Sequence, residues 1–97
     1  MIFAELQYQQ PYSDVHDPLV GLLSRHFQHI ESGLQGDSYV WVFDGTDKVA
    51  VDTFTSMQHQ VKSSEPSDLV DQVLKVLAHE YQLRVLDPPE VEGHEGF

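Results

Sequence analysis

One segment of the chain constrains its fold more than any other, because it is apolar on both sides. Two runs rich in β-branched and aromatic residues, Ser38–Asp44 and Lys48–Phe54, flank Gly45 and Thr46. Such runs are typical of strands, and the glycine between them permits a tight turn. The pattern predicts a β-hairpin whose turn lies at Asp44-Gly45 or Gly45-Thr46.

The two sides of this hairpin carry different apolar sets. With the turn at Gly45-Thr46, one side pairs valines across the strands, Val42 with Val49 and Val40 with Val51. The other side is mostly aromatic and carries Tyr39, Trp41, Phe43, Ala50 and Phe54. Since two helices can cover only one face of a single sheet, the aromatic face needs another cover. The alternatives are the C-terminal tail or an additional strand, a second copy of the chain, or a ligand or partner protein.

The segments before the hairpin predict a strand and a helix. Ile2–Tyr8 alternates in hydropathy with the period of a strand. Asp17 as the N-cap and Pro18 at the first helical position predict a helix over Pro18–Ser32. Gly33 would end that helix in a left-handed conformation.

The segments after the hairpin predict a second helix and a last strand. Ser67 is a preferred N-cap residue, and an apolar stripe follows it as far as Tyr81. Gln82–Leu86 predicts a strand that ends before Pro88-Pro89, because proline cannot continue a ladder of hydrogen bonds. An additional strand near residues 57–62 is left open.

The order of these elements predicts the fold class. Strand, helix, hairpin, helix and strand give an α+β, ferredoxin-like βαββαβ arrangement, with two helices on one face of an antiparallel sheet. We expect one domain over residues 1–88 and an acidic C-terminal tail over residues 89–97. Such a fold is shared by many unrelated functions, so it does not by itself predict one.

Composition and charge exclude several classes of function. The 97 residues contain no cysteine, and five Lys and Arg stand against sixteen Asp and Glu, a formal net charge of −11. We expect no binding to nucleic acid or to anionic membranes, because both depend on clustered cations. The apparent lack of a signal peptide or membrane-spanning segment predicts a cytoplasmic protein. The acidic surface favours a basic partner.

Histidine supplies the candidates for chemistry. His16 lies between two carboxylates, Asp14 and Asp17, and a carboxylate-oriented imidazole can act as a ligand or general base. We assign Asp17 to the helix cap and keep His16 and Asp14 as the candidates. His26 and His29 have a spacing that can place two imidazoles on one metal, but no third ligand accompanies them. We therefore expect no metal site and no cofactor.

Two hypotheses for function follow from these observations. The first is a non-catalytic interaction protein that presents its aromatic face, Tyr39, Trp41, Phe43 and Phe54, to a second copy of itself or to a basic protein partner. The alternative is a small-molecule-binding protein or enzyme that uses His16 and the aromatic face as a pocket.

Overall fold

Six strands form one antiparallel sheet, and two helices pack on one of its faces. The computed structural model describes residues 1–91. Its elements are β1 (Ile2–Gln7), α1 (Tyr12–His26), β2 (His29–Gln35), β3 (Asp37–Asp44), β4 (Asp47–Asp52), β5 (Gln60–Lys62), α2 (Asp68–Ala78) and β6 (Gln82–Glu90). The strands lie in the order β2-β3-β4-β5-β1-β6, so both β2 and β6 are edge strands. The protein is therefore of the α+β class.

The hydrophobic core lies between the two helices and the sheet. Most of the buried side chains of β3, β4 and β5 that point toward the helices are valines, such as Val40, Val51 and Val61. They belong to one cluster with leucines of both helices, including Leu19 and Leu77. We call the other side of the sheet the open face, because neither helix packs against it.

The predicted hairpin is confirmed, and so is the second helix, which however ends at Ala78 and does not reach Tyr81. In the hairpin of β3 and β4, Val42 pairs with Val49 and Val40 with Val51. Gly45 in its turn has a φ of 61°, which glycine adopts without strain. At the start of α2, the Ser67 hydroxyl accepts a hydrogen bond of 3.2 Å from the Val70 N–H.

The ferredoxin-like prediction is wrong in strand count and strand order. That fold has four strands, whereas this sheet has six, because β2 and β5 are added. β2 occupies residues that we assigned to the end of the first helix. Ile30, Ser32 and Leu34 all face the helix side of the sheet, opposite core residues of β3. This period of two suits a strand, and Gly33 lies inside that strand instead of ending a helix.

Helix α1 begins and ends earlier than predicted. It starts at Tyr12, and its seventh residue is Pro18. Asp17 is therefore not the N-cap, and its side chain is exposed in the second turn. The earlier start buries Val15 and His16 against the sheet. Burial of this added turn offsets the backbone hydrogen bond that an interior proline removes.

The last strand and the additional strand also differ from their predicted bounds. β6 continues to Glu90, through Pro88-Pro89. The prolines are tolerated because β6 is an edge strand, and its pairing with β1 is irregular between Ile2 and Ala4. β5 is short and covers Gln60–Lys62 of the segment 57–62.

The predicted tail is described only in part. Pro89 and Glu90 belong to β6, whereas Phe97 lies outside the described residues. That the C-terminal tail covers the aromatic face therefore stays a prediction. Neither helix within residues 1–91 has the length and apolar character needed to cross a membrane.

Candidate functional site

A stripe of aromatic side chains crosses the open face of the sheet. We define the aromatic stripe as Phe43, Trp41, Tyr39 and Phe54. The rings of Tyr39 and Trp41 have centroids 4.5 Å apart, and those of Tyr39 and Phe54 are 6.1 Å apart. Phe54 is 49% exposed, and the other three are partly exposed. Within residues 1–91, the stripe is therefore at least partly exposed along its whole length.

The alternation of β3 places three of these rings on one side. Residues 39, 41 and 43 point to the open face because residues 40 and 42 point into the core. Tyr39 lies opposite Gly33 of β2. A Cβ atom on Gly33 would lie 2.6 Å from Cε1 of Tyr39, so the ring covers the space that the glycine leaves empty.

A groove opens at one end of the stripe. It has a volume of about 520 Å³ and is lined by residues 32–35 at the end of β2 and by Asp37, with Tyr39 and Phe54 on the other side. The groove therefore combines two aromatic rings with polar side chains, including the carboxylate of Asp37.

A basic side chain already contacts the stripe. The ammonium of Lys48 lies 3.8 Å from the centre of the Trp41 ring, which is a cation–π geometry. At the same end, His29 stacks on Phe43 with ring centroids 4.7 Å apart. The stripe therefore contacts a cation and an imidazole ring of the same chain.

A buried ion pair anchors Phe54, which forms one end of the stripe. Asp52 and Lys62 are both buried on the open face, and Lys62 Nζ lies 2.8 Å from Asp52 Oδ1. Asp52 Oδ1 also accepts a hydrogen bond of 3.2 Å from the Phe54 N–H. Lys62 donates a second hydrogen bond to Thr55. The ion pair therefore fixes the chain that carries Phe54.

A second cluster of polar side chains lies in the interior, on the helix side of the sheet. Ser38 is its centre, with Oγ 2.6 Å from Nδ1 of His16 and 2.7 Å from Nε2 of His59. Nδ1 of His59 lies 2.8 Å from the Tyr8 hydroxyl. The cluster thus forms a continuous chain of hydrogen bonds that joins β3, α1 and the segments next to β1 and β5.

The hydrogens of this chain can be assigned one direction. The His59 backbone N–H donates to the Tyr8 oxygen at 3.0 Å, which leaves the phenol hydrogen free to donate to Nδ1 of His59. Nε2–H of His59 then donates to Ser38, and the Ser38 hydroxyl donates to Nδ1 of His16. In this assignment His59 is neutral. Desolvation, and then the nearby His16, lower the pKa of His59 to about 4, while burial raises the pKa of Tyr8.

This chain resembles an activated serine, but a substrate has no access to it. His16 is 6% exposed, and Ser38 and His59 are 0% exposed. The arrangement satisfies buried polar groups and fixes four chain segments relative to one another. It supports a structural role.

The main site residues predicted from the sequence lie in two separate places, the buried chain of hydrogen bonds and the aromatic stripe. His16 lies in the buried chain, whereas the aromatic stripe is on the opposite face of the sheet. Asp14 is exposed in the first turn of α1. His26 is also exposed, and residues 1–91 contain no group of three or more His, Asp or Glu side chains placed to hold a metal.

Sequence reasoning missed Ser38 and His59. One signal could have indicated that Ser38 is buried. Alternation along β3 places it on the same side of the strand as the buried residues Val40 and Val42. His59 has the parity of Val61, which would place both on one face of an additional strand, but the exposed Met57 breaks that pattern.

Comparison with known proteins gives no relative. The chain shows no significant match to a protein-family model, to a curated protein or to a solved structure.

Proposed function

We propose that this protein is a non-catalytic interaction module that binds a basic protein partner at the aromatic stripe. The observation that carries the proposal is the partly exposed stripe on a face that neither helix covers. Contiguous apolar surface of this kind marks interaction sites in proteins. Tyr and Trp are also among the residues that contribute most to binding energy at interfaces.

The charge around the stripe favours a basic partner. Glu31 lies directly opposite Trp41 on β2, and its side chain is exposed. Asp37, Asp44 and Asp47 are exposed at the ends of β3 and β4. An arginine stacked on the stripe would gain both a ring face and a neighbouring carboxylate. The net charge of −11 would also steer such a partner toward the protein.

A second copy of the chain is less well suited to this face. Packing two open faces together would bring the carboxylates of both copies close to one another, which costs free energy in a partly desolvated interface. The Lys48 ammonium lies over the Trp41 ring, and this contact supports the proposal that a partner's cation could bind in the same way. The basic residue of a partner would replace it.

The fluorescence of Trp41 provides a direct test, because the chain has a single tryptophan. We expect its emission to change on titration with an arginine- and lysine-rich peptide, and not with an acidic peptide of equal length. Phe54→Ala should weaken binding roughly tenfold, as expected for the loss of an interface aromatic. Met57→Ala is the matched control, because Met57 is 77% exposed in the same loop and outside the stripe.

A substitution of Lys48 should change the affinity for the basic peptide in the opposite direction. Lys48→Gln should strengthen binding of the basic peptide, because it frees the Trp41 ring and removes a like charge. Lys75→Gln removes the same charge from an exposed position on α2, on the other side of the molecule. If the peptide does not bind, or if Phe54→Ala and Met57→Ala bind equally well, the proposal is wrong.

A further inference from the structure

We infer that the chain forms a twofold dimer in which β2 pairs antiparallel with β2 of a second copy. Among residues 1–91, β2 (His29–Gln35) is an edge strand and pairs with β3 alone. Alternate residues of an edge strand direct their backbone N–H and C=O groups away from the sheet, where another strand can pair with them. This interface uses the edge of the sheet and leaves the aromatic stripe free.

The two edges of the sheet differ in how they are protected. β6 carries Pro88-Pro89, the charged residues Arg84 and Asp87, and an irregular ladder. These are the features that natural proteins use to prevent pairing at an edge. β2 has no proline and no lysine, and it pairs with β3 over all seven residues without a shift in register. The edge at β2 is therefore long, regular and open.

Twofold symmetry restricts the registers in which the second copy can pair. In a continuous sheet, residues that lie opposite each other point to the same face, so a twofold axis must pass beside a single central residue. With Ser32 on the axis, all seven residues of β2 are paired. Ile30 then lies opposite Leu34 of the second copy, and Glu31 lies opposite Gly33.

The neighbouring registers are less favourable. With Glu31 on the axis, the carboxylates of the two copies would lie directly opposite each other, which is destabilising. With Gly33 on the axis, Leu34 would lie opposite Ser32 and no apolar pair would form. The register centred on Ser32 is the one of these three that places apolar side chains together.

The apolar pair in that register extends the core of each copy. Ile30 is half-buried and packs against the core from the edge of the sheet. Leu34 is 42% exposed and points to the same face. In the dimer each Leu34 would cover Ile30 of the other copy, so the interface buries apolar surface on the helix side. Both such pairs form at once because the interface is twofold.

Salt separates this dimer from the binding of a basic partner. Each copy carries a net charge of −11, so the two copies repel each other at low ionic strength. Between about 0.05 and about 0.5 M salt this repulsion is screened, and we expect dimerisation to become stronger. Binding of a basic peptide should become weaker over the same range.

Sedimentation equilibrium on the full chain tests the inference. We expect a dimer at micromolar concentrations in the higher salt. Ser32→Lys would place two ammonium groups beside the axis and should weaken dimerisation at least roughly tenfold. Ser24→Lys adds the same charge at an exposed position on α1 and should leave the dimer intact.

Disulfide trapping tests the register, because the chain has no cysteine of its own. In the register centred on Ser32, two copies of Ser32→Cys lie opposite each other, within the reach of a disulfide. Leu34→Cys is the control, because its two copies are four residues apart along the strands, about 13 Å. We expect mild oxidation to link Ser32→Cys and not Leu34→Cys.

Two results would overturn the inference. One is a chain that stays monomeric at high micromolar concentration in the higher salt. The other is a dimer that Ser32→Lys does not weaken, which would indicate pairing through another surface. The proposed function is tested separately, because Phe54 lies outside β2, and Phe54→Ala should weaken binding of the basic peptide while leaving the dimer intact.

Discussion

The Ser38 hydroxyl oxygen lies 2.7 Å from Nε2 of His59, in the interior of the protein. This contact joins the start of β3 to the segment that leads into β5, across 21 positions of the sequence. The same hydroxyl contacts His16 of α1. One side-chain oxygen therefore holds both the irregular loop and the first helix against the sheet.

Removal of this hydroxyl should be costly. Ser38→Ala would leave Nδ1 of His16 and Nε2 of His59 buried without partners, and each unsatisfied group costs about 1–3 kcal/mol. We expect the free energy of unfolding in urea to fall by about 3 kcal/mol. Ser24→Ala, at an exposed position of α1, should change it by less than about 0.5 kcal/mol. Equal effects of the two substitutions would contradict the role of the buried chain.

The pKa of His59 predicts how stability depends on pH. Burial lowers this pKa from 6.5 to about 4, so between these values the unfolded chain binds a proton that the folded chain does not. The contribution of His59 is therefore complete above about pH 6.5 and is lost as the pH falls toward 4. It amounts to about 3 kcal/mol over that range.

Urea unfolding at several pH values measures this contribution. His59→Gln cannot be protonated, so it should be less stable at neutral pH and should lose less stability on acidification. His79→Gln removes an exposed imidazole and should follow the wild-type pH dependence. All three proteins have the same carboxylates, so the difference between their curves isolates His59. A His59→Gln curve parallel to that of the wild type would sink the prediction.

The sequence predicts the parts of this fold that local physics determines. The valines of the hairpin fix its register, and the Ser67 hydroxyl fixes the start of α2. The first helix is different, because Asp17 and Pro18 form a strong local start signal that tertiary packing overrides. Burial of Val15 and His16 against the sheet cannot be deduced from a local pattern. The same holds for the strand at residues 29–35, whose partner is β3.

The candidate sites also differ in how far the sequence predicts them. The aromatic side of β3 could be predicted, because alternation along one strand is a local property. The chain of His16, Ser38 and His59 could not, because its members are 21 or more positions apart and meet only through the topology of the sheet. Long-range contacts of this kind produce no regular spacing of residues from which they could be predicted.

The ion pair of Asp52 and Lys62 should behave as a buried pair. Lys62→Met leaves the Asp52 carboxylate unpaired in the interior, and loss of one partner typically costs about 3–5 kcal/mol. The double variant Asp52→Asn with Lys62→Met removes the charge as well, so it should be more stable than Lys62→Met alone. Chemical unfolding of the two single variants and the double variant measures this coupling. Strictly additive losses would contradict it.

Gly33 should determine the position of the Tyr39 ring. In Gly33→Ala the new methyl group would lie 2.6 Å from Cε1 of Tyr39, so the ring must move away from β2 and from its present contact with Trp41. Because the displaced atoms are at the free end of a partly exposed side chain, we expect a small change in stability. The near-ultraviolet circular dichroism and the Trp41 emission should change clearly, and the basic peptide should bind more weakly.

Gly21→Ala on α1 is the matched control, because its methyl group would lie 3.6 Å from Nη1 of Arg25, an ordinary contact. That control should stabilise the helix by about 0.5–1 kcal/mol and leave the aromatic signals unchanged. Unchanged aromatic signals in Gly33→Ala would mean that the ring does not depend on the glycine.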